Sequence, residues 1–206
     1  MLLNVNPTRM ELLRLKERLI LAERGHKLLK DKLEGLMKNF LDVAKQYIEK
    51  RKAFDNKFVL ALKKFEIATQ DIGEDKLSAL LEGSTFLLDV SYKLANVMNV
   101  KYPVFSVKKR GSPFVYPFTL TSPMLDTTFV EILSLIEELV QLASIQQELY
   151  SIALEVAKVR RRVNALEYIM IPNLEETIKY IEGKLEEMDR ENISRLLKIK
   201  DIIRGH

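Results

Sequence analysis

Apolar side chains recur along the first third of the chain in alternating steps of three and four. They are Leu12, Leu15, Leu19, Ala22, Leu29, Leu33, Leu36, Phe40, Val43 and Tyr47, with His26 filling one slot. A mean step near 3.5 residues is the repeat of a helix that supercoils left-handedly around a partner. Beyond Tyr47 the stripe continues through Lys50, Phe54, Phe58, Ala61 and Phe65. Two four-residue steps fall in succession there, which relaxes the supercoil as an inserted stutter does. A helix over residues 7–69 would run roughly 90 to 95 Å at 1.5 Å per residue. No globular domain needs one that long.

The last third carries the same signature. Leu135, Leu139, Leu142, Leu149, Ile152, Val156, Val159, Val163, Leu166 and Met170 share one stripe, which continues through Leu174, Ile178, Ile181, Leu185, Met188 and Ile199. This predicts a second helix over residues 125–202. Two long apolar stripes in one chain bury each other most simply by folding back antiparallel. Charge favours the same pairing: residues 6–68 hold 16 Lys and Arg against 9 Asp and Glu, whereas residues 125–206 hold 11 against 15. The basic stretch 14–32 then faces the acidic stretch 175–191. Pro172 removes one backbone donor inside the second helix, so a kink is expected there. Asn6 as N-cap with Pro7 at the first helical position gives the first helix a favourable start.

Between the helices the period changes. Gly73 and Gly83 bracket a short amphipathic helix, 74–82, and Phe86, Leu88, Val90 and Tyr92 alternate as in a strand. The segments 104–107 and 113–116 flank Lys108-Lys109-Arg110-Gly111-Ser112, which reads as a β-hairpin with a glycine-containing loop. The expected organisation is a long helix over 1–69, a small mixed head over 70–124 and a second long helix over 125–206. The fold class is mainly α: a long antiparallel two-helix left-handed coiled coil with a small α/β head containing a β-hairpin.

Composition narrows the function. Seven Gly and six Pro among 206 residues are too few to punctuate a compact, turn-rich fold. Cysteine is absent, which excludes disulfides and thiolate metal sites. No apolar run is long enough to cross a bilayer and no secretory leader is visible, so a soluble, unexported protein is expected. No phosphate-cradling glycine loop, metal-spaced His cluster or nucleophile turn is present. A noncatalytic protein without cofactor or metal is the expectation. His26 reads as a polar residue within the seam, and Gly25, Gly35 and Gly183 inside helices point to close helix approach or local flexibility. On the residues alone, Arg160-Arg161-Arg162 is either a solvated face or a contact for carboxylates. Lys108-Lys109-Arg110 is either a solubilising loop or a contact for a partner or anionic headgroups. A prefoldin-type helical-hairpin chaperone and a tRNA-binding helical arm also fit this outline. The first requires exposed apolar tips, the second a continuous basic stripe that the acidic C-terminal helix dilutes.

Asn6-Pro7-Thr8-Arg9 and the run 24–32 (Arg-Gly-His-Lys-Leu-Leu-Lys-Asp-Lys) resemble the opening of the D subunit of archaeal and vacuolar-type (A-type/V-type) rotary ATPases. So do the run 160–168 (Arg-Arg-Arg-Val-Asn-Ala-Leu-Glu-Tyr) and the run 171–181 beginning Ile-Pro-Asn-Leu. The resemblance covers both long helices and is weaker in the head. It implies a central rotor stalk that transmits torque between a ring of nucleotide-binding A and B subunits and a membrane ion-translocating rotor. Its implied partners are the A, B and F subunits and the C subunit, the rotor-ring adaptor, on the cytoplasmic face of the membrane and without nucleic acid. Thr8, Arg9, Arg160, Arg161, Arg162, Asn164, Glu167, Lys108, Lys109 and Arg110 are the candidate partner contacts.

Overall fold

The computed structural model describes residues 5–72, 86–111 and 123–204. Helix α1 spans Arg9–Ile72, strands β1 and β2 span Leu87–Val97 and Val100–Arg110, and a helix of 82 residues follows. That helix consists of α2, Pro123–Ala165, a π turn over Leu166–Met170, and α3, Ile171–Arg204. The chain is mainly helical with one two-stranded antiparallel hairpin, as the periodicity predicts. The short helix expected over 74–82 and the segment 113–116 lie outside the described residues. Contacts divide the chain into two compact units, one of residues 1–35 with 156–206 and the other of residues 36–155.

In the terminal unit the apolar stripe becomes a seam. Leu15, Ala22, Leu174, Ile178 and Ile181 form one buried cluster, with Leu12, Leu19, Leu166, Ile171 and Leu185 packed against it. Each fully buried Leu or Ile contributes about 1.5 to 3 kcal/mol relative to an exposed one. Ion pairs flank the seam with the predicted polarity. Arg9 meets Asp189 through two contacts of 3.1 and 3.0 Å, and Lys16 meets Glu182 at 2.6 Å. Both partners step by seven residues in opposite directions, which is what an antiparallel heptad pair requires. These pairs are solvent-exposed and add only about 0 to 1 kcal/mol each. They select the partner face while the seam holds it.

The second unit repeats the arrangement with larger side chains. Phe54, Ala61, Leu135 and Leu142 are buried together beside Tyr47 and Ile132, while Ala68 and Leu125 pack with Phe65, Met124 and Phe129. Lys57 pairs with Glu138 at 2.6 Å and Lys64 with Glu131 at 2.5 Å, again seven residues apart on each helix. Lys50 and Phe58, on the predicted stripe, are exposed, as are Leu139, Met170, Met188 and Ile199. Buried Thr128 and Thr177 satisfy their hydroxyls by donating to the carbonyls of Met124 and Asn173, four residues back.

Two local features differ from the sequence expectation. The N-cap is Thr8 rather than Asn6: its hydroxyl accepts the Glu11 amide at 3.3 Å, and its carbonyl accepts the Leu12 amide at 3.0 Å. The hairpin turn lies at Met98-Asn99, with φ of 50° and 69°, and not at residues 108–112. Positive φ at both central residues is the turn geometry whose twist matches that of paired strands. Lys108, Lys109 and Arg110 therefore occupy the end of β2, opposite Asp89, Leu88 and Leu87, instead of a loop tip.

The hairpin approaches α2 through β2. The Phe105 amide donates to Ser144 Oγ at 2.9 Å, and that hydroxyl donates to the Val140 carbonyl at 3.0 Å. Lys109 reaches Glu137 at 2.8 Å, and Tyr102 is buried near Glu148. Burial first, and the Glu148 carboxylate second, hold the Tyr102 phenol above its ordinary range. Glu137, Ser144 and Glu148 fall seven and eleven residues apart, so one face of α2 receives the strand.

Ile181→Ala, at a fully buried seam position, is expected to lower unfolding free energy by about 2 to 4 kcal/mol in urea titration. Arg9→Ala should change it by less than about 1 kcal/mol. Equal effects would contradict a fold held by the seam.

Candidate partner interface

The one π-helical stretch among the described residues directly precedes Ile171 and Pro172. Proline has no amide to donate, and its ring clashes with the carbonyl four residues back in a regular α-helix. The chain answers with a π turn, in which the Ile171 amide donates to the Leu166 carbonyl five residues back. The helix continues through Pro172 without ending. This wide turn alters the seam. The apolar contacts step from Leu166 to Ile171, then to Leu174, Ile178 and Ile181, so Met170 loses the place that even spacing gives it. Tyr168, Ile169 and Met170 are extruded instead, with 71%, 61% and 52% of their surfaces exposed.

The candidate residues of this helix lie on the turns leading to that feature. Arg160, Arg161 and Arg162 are exposed, and none forms an ion pair among the described residues. Arg161 donates through Nε to the Ala157 carbonyl at 3.3 Å, which leaves its terminal nitrogens for another acceptor. Asn164 is exposed as well. Glu167 Oε2 lies 3.4 Å from Nε2 of half-buried His26 on α1. That approach is not a hydrogen bond, and the buried His26 Nε2 has no hydrogen-bond partner. His26 thus sits in the seam with its polar atom facing the π turn. Among the described residues no cluster of His, Asp and Glu could hold a metal ion.

The other candidates are spent on the fold or lie elsewhere. Thr8 caps α1 and Arg9 is engaged with Asp189. In the second unit Lys109 binds Glu137 and Arg110 lies 3.7 Å from Asp89, while Lys108 is exposed. The structure therefore places Arg160, Asn164 and Glu167 along one side of the helix, with Glu167 beside His26, and turns Arg161 and Arg162 to other sides of it. It does not gather them with Thr8 and Arg9, nor does it leave Lys109 and Arg110 free.

Two surface features go unread in the sequence. The extrusion of Ile169 and Met170 is signalled only by two four-residue steps in a row, from Leu166 to Met170 to Leu174, immediately around a proline. The outer strand β1 exposes Leu88, Val90, Tyr92 and Leu94 on one face, although alternation alone would bury that face. Close helix approach, one of the two readings of the helical glycines, does not hold at Gly25 and Gly183. A Cβ at Gly25 or Gly183 would meet no atom within 4 Å, so close helix packing does not require either glycine. Each still costs about 1 kcal/mol relative to alanine in a helix interior.

Comparison with known proteins accounts for nearly the whole chain. The family model that matches residues 11–201 is described as the D subunit of ATP synthase. Three relatives are named as the D subunit of V-type ATP synthase. That of Acetivibrio thermocellus is 44% identical over 98% of this chain and 93% of its own length. That of Clostridium botulinum is 42% identical over 98% and 96%, and that of Clostridium novyi 41% over 98% and 95%.

The chain contains no tryptophan, so Tyr168→Trp supplies a single reporter of the extruded turn. Its emission in the free chain should match exposed indole and be fully quenched by iodide. Blue-shifted, protected emission would contradict the extrusion.

Proposed function

This chain belongs to the family of ATP synthase D subunits, and on that footing we propose how its surfaces divide among the partners of a V-type ATP synthase. The chain is a noncatalytic central-stalk component of that complex. The chaperone and tRNA-arm readings are set aside by the family match over nearly the whole sequence. No helix among the described residues is long and apolar enough to cross a membrane, and the chain is a peripheral part of its complex. The proposed location is the cytoplasmic face.

The proposed arrangement places the terminal unit, with its paired helix ends, inside a ring of alternating A and B subunits. The unit carrying the hairpin meets the F subunit and the C subunit, the rotor-ring adaptor. Such a stalk needs no chemistry of its own. It has to present different side chains to otherwise equivalent nucleotide sites, so that each rotational position favours a different conformation at each site. Helices paired by a buried seam carry that asymmetry without shearing, because sliding one helix past the other would expose Leu15 and Ile181 together.

The observation that carries the contact assignment is the trio Arg160-Arg161-Arg162, exposed and without a carboxylate partner among the described residues. Successive helical residues project about 100° apart, so the three guanidinium groups face different sides of the helix, and each is best matched by a carboxylate that accepts two hydrogen bonds. Acidic loops of the ring would supply them. Asn164 and Glu167, on the following two turns, continue the side of the helix that Arg160 occupies.

Replacing Arg160, Arg161 and Arg162 together with Gln should leave the helicity and melting of the free chain unchanged. Coupling of ATP hydrolysis to ion movement in the reconstituted complex should fall by about tenfold or more, the equivalent of roughly 1.4 kcal/mol. Wild-type assembly and coupling in that variant would remove the contact assignment.

A further inference from the structure

We propose that the groove beside the π turn is a socket for a large apolar side chain carried on an acidic segment of the nucleotide-binding ring. The proposal rests on the ring assignment above and names the surface involved. The groove lies within the terminal unit and encloses about 560 Å3 between α1 and the π turn. It is lined by Arg18, Leu21 and Gly25 from α1 and by Leu166, Ile169 and Met170 from the π turn.

Three independent features converge on it. Ile169 and Met170 are outside the seam because the π turn adds a residue there, and Leu21 opposite them is 71% exposed. Apolar surface facing apolar surface across an unfilled groove favours an apolar occupant. Gly25 weakens α1, and no neighbouring atom within the chain requires its missing side chain. Gly25 lines the groove and a Cβ there would meet open space, so a larger side chain has room to occupy it. The third feature is charge. Arg18, the one charged residue in the lining, forms no ion pair among the described residues.

An apolar cleft of side-chain dimensions with one unpaired guanidinium in its lining selects its occupant by two criteria. The anchor must be a bulky hydrophobic group, and carboxylates must flank it. A nucleic acid would satisfy the arginine but leave the apolar walls wet. A flat anionic lipid surface could not enter a concave cleft of this kind. A protein segment with an aromatic or branched side chain between Asp or Glu residues meets both requirements.

The test uses the full chain and the purified nucleotide-binding ring. Gly25→Leu fills the groove, and Leu21→Asp places a carboxylate at an exposed wall position where folding does not depend on it. Both free variants should melt at or near the wild-type temperature, while their affinity for the ring falls about tenfold or more. Gly25→Ala, whose methyl meets nothing, should bind within about threefold of wild type, roughly half a decade of affinity. Unaltered binding of Gly25→Leu and Leu21→Asp by a ring that binds wild type would overturn the socket alone. Failure of wild type to bind the ring would overturn the ring assignment and the socket with it. In the assembled complex, a photoreactive residue replacing Ile169 should cross-link to an A or B subunit of the ring. Adducts only to another stalk component, to RNA or to lipid would contradict the proposal.

Discussion

The seam between the outgoing and returning helices governs what every other part of this molecule can do. Leu15, Ala22, Ile178 and Ile181 in one unit, and Phe54, Ala61, Leu135 and Leu142 in the other, are apolar groups that isolated helices would leave in water. A long helix has no stable reason to exist alone, because propensity supplies little and tertiary burial supplies most of its stability. Burial fixes the antiparallel direction as well, since α1 and the helix that follows the hairpin belong to one chain and their charges match only in that sense. The ion pairs of Arg9 with Asp189 and Lys57 with Glu138 then act as register marks on a structure already held. Their exposure keeps them weak individually and sensitive to salt.

Against that regularity the π turn stands out as the place where the seam gives way. Pro172 and the five-residue step from Leu166 to Ile171 impose a wide turn, and the extra residue moves Tyr168, Ile169 and Met170 outward. One irregularity thus turns Met170, which even spacing would place in the seam, into surface beside exposed Tyr168 and Ile169. A stalk that must be distinguished by its neighbours from three or more directions benefits from such a local departure, because a perfectly repeating helix pair presents much the same surface at each turn.

Much of this is legible in the sequence, and the reason is periodicity. The 3.5-residue stripe locates Leu15, Leu36, Val43 and Ala61 in the core, and Val159, Val163, Leu174 and Ile181 likewise, because helix geometry maps sequence spacing directly onto a face. The charge imbalance between the ends anticipates which side chains meet. What stays hidden depends on backbone detail that spacing does not encode. Gly111 is the conspicuous turn former, yet the chain turns at Met98-Asn99, where only asparagine favours a positive φ. Lys109 and Arg110 consequently look like loop residues in the sequence, whereas they pair along a strand edge and against α2. At Pro172 the sequence predicts a kink, but its form, an added residue rather than a lost bond, follows from how the seam resumes beyond it. The proposed contact surface is half-legible for the same reason: Arg160 to Arg162 stand out in the sequence, whereas the apolar groove is lined by residues of the π turn.

A stalk that performs no chemistry works through shape, and its shape depends on two helices staying in register under load. The chain lacks cysteine, so paired spin labels can be placed cleanly on introduced cysteines at Lys16 with Glu182, and separately at Lys57 with Glu138. Pulsed electron spin measurements on the free chain should give one narrow peak for each pair, below about 20 Å once label arms are added to helices packed 8 to 10 Å apart. A broad distribution without a short-distance peak in either pair would show that the helices are not zipped together in this register, and the account would fail at its foundation.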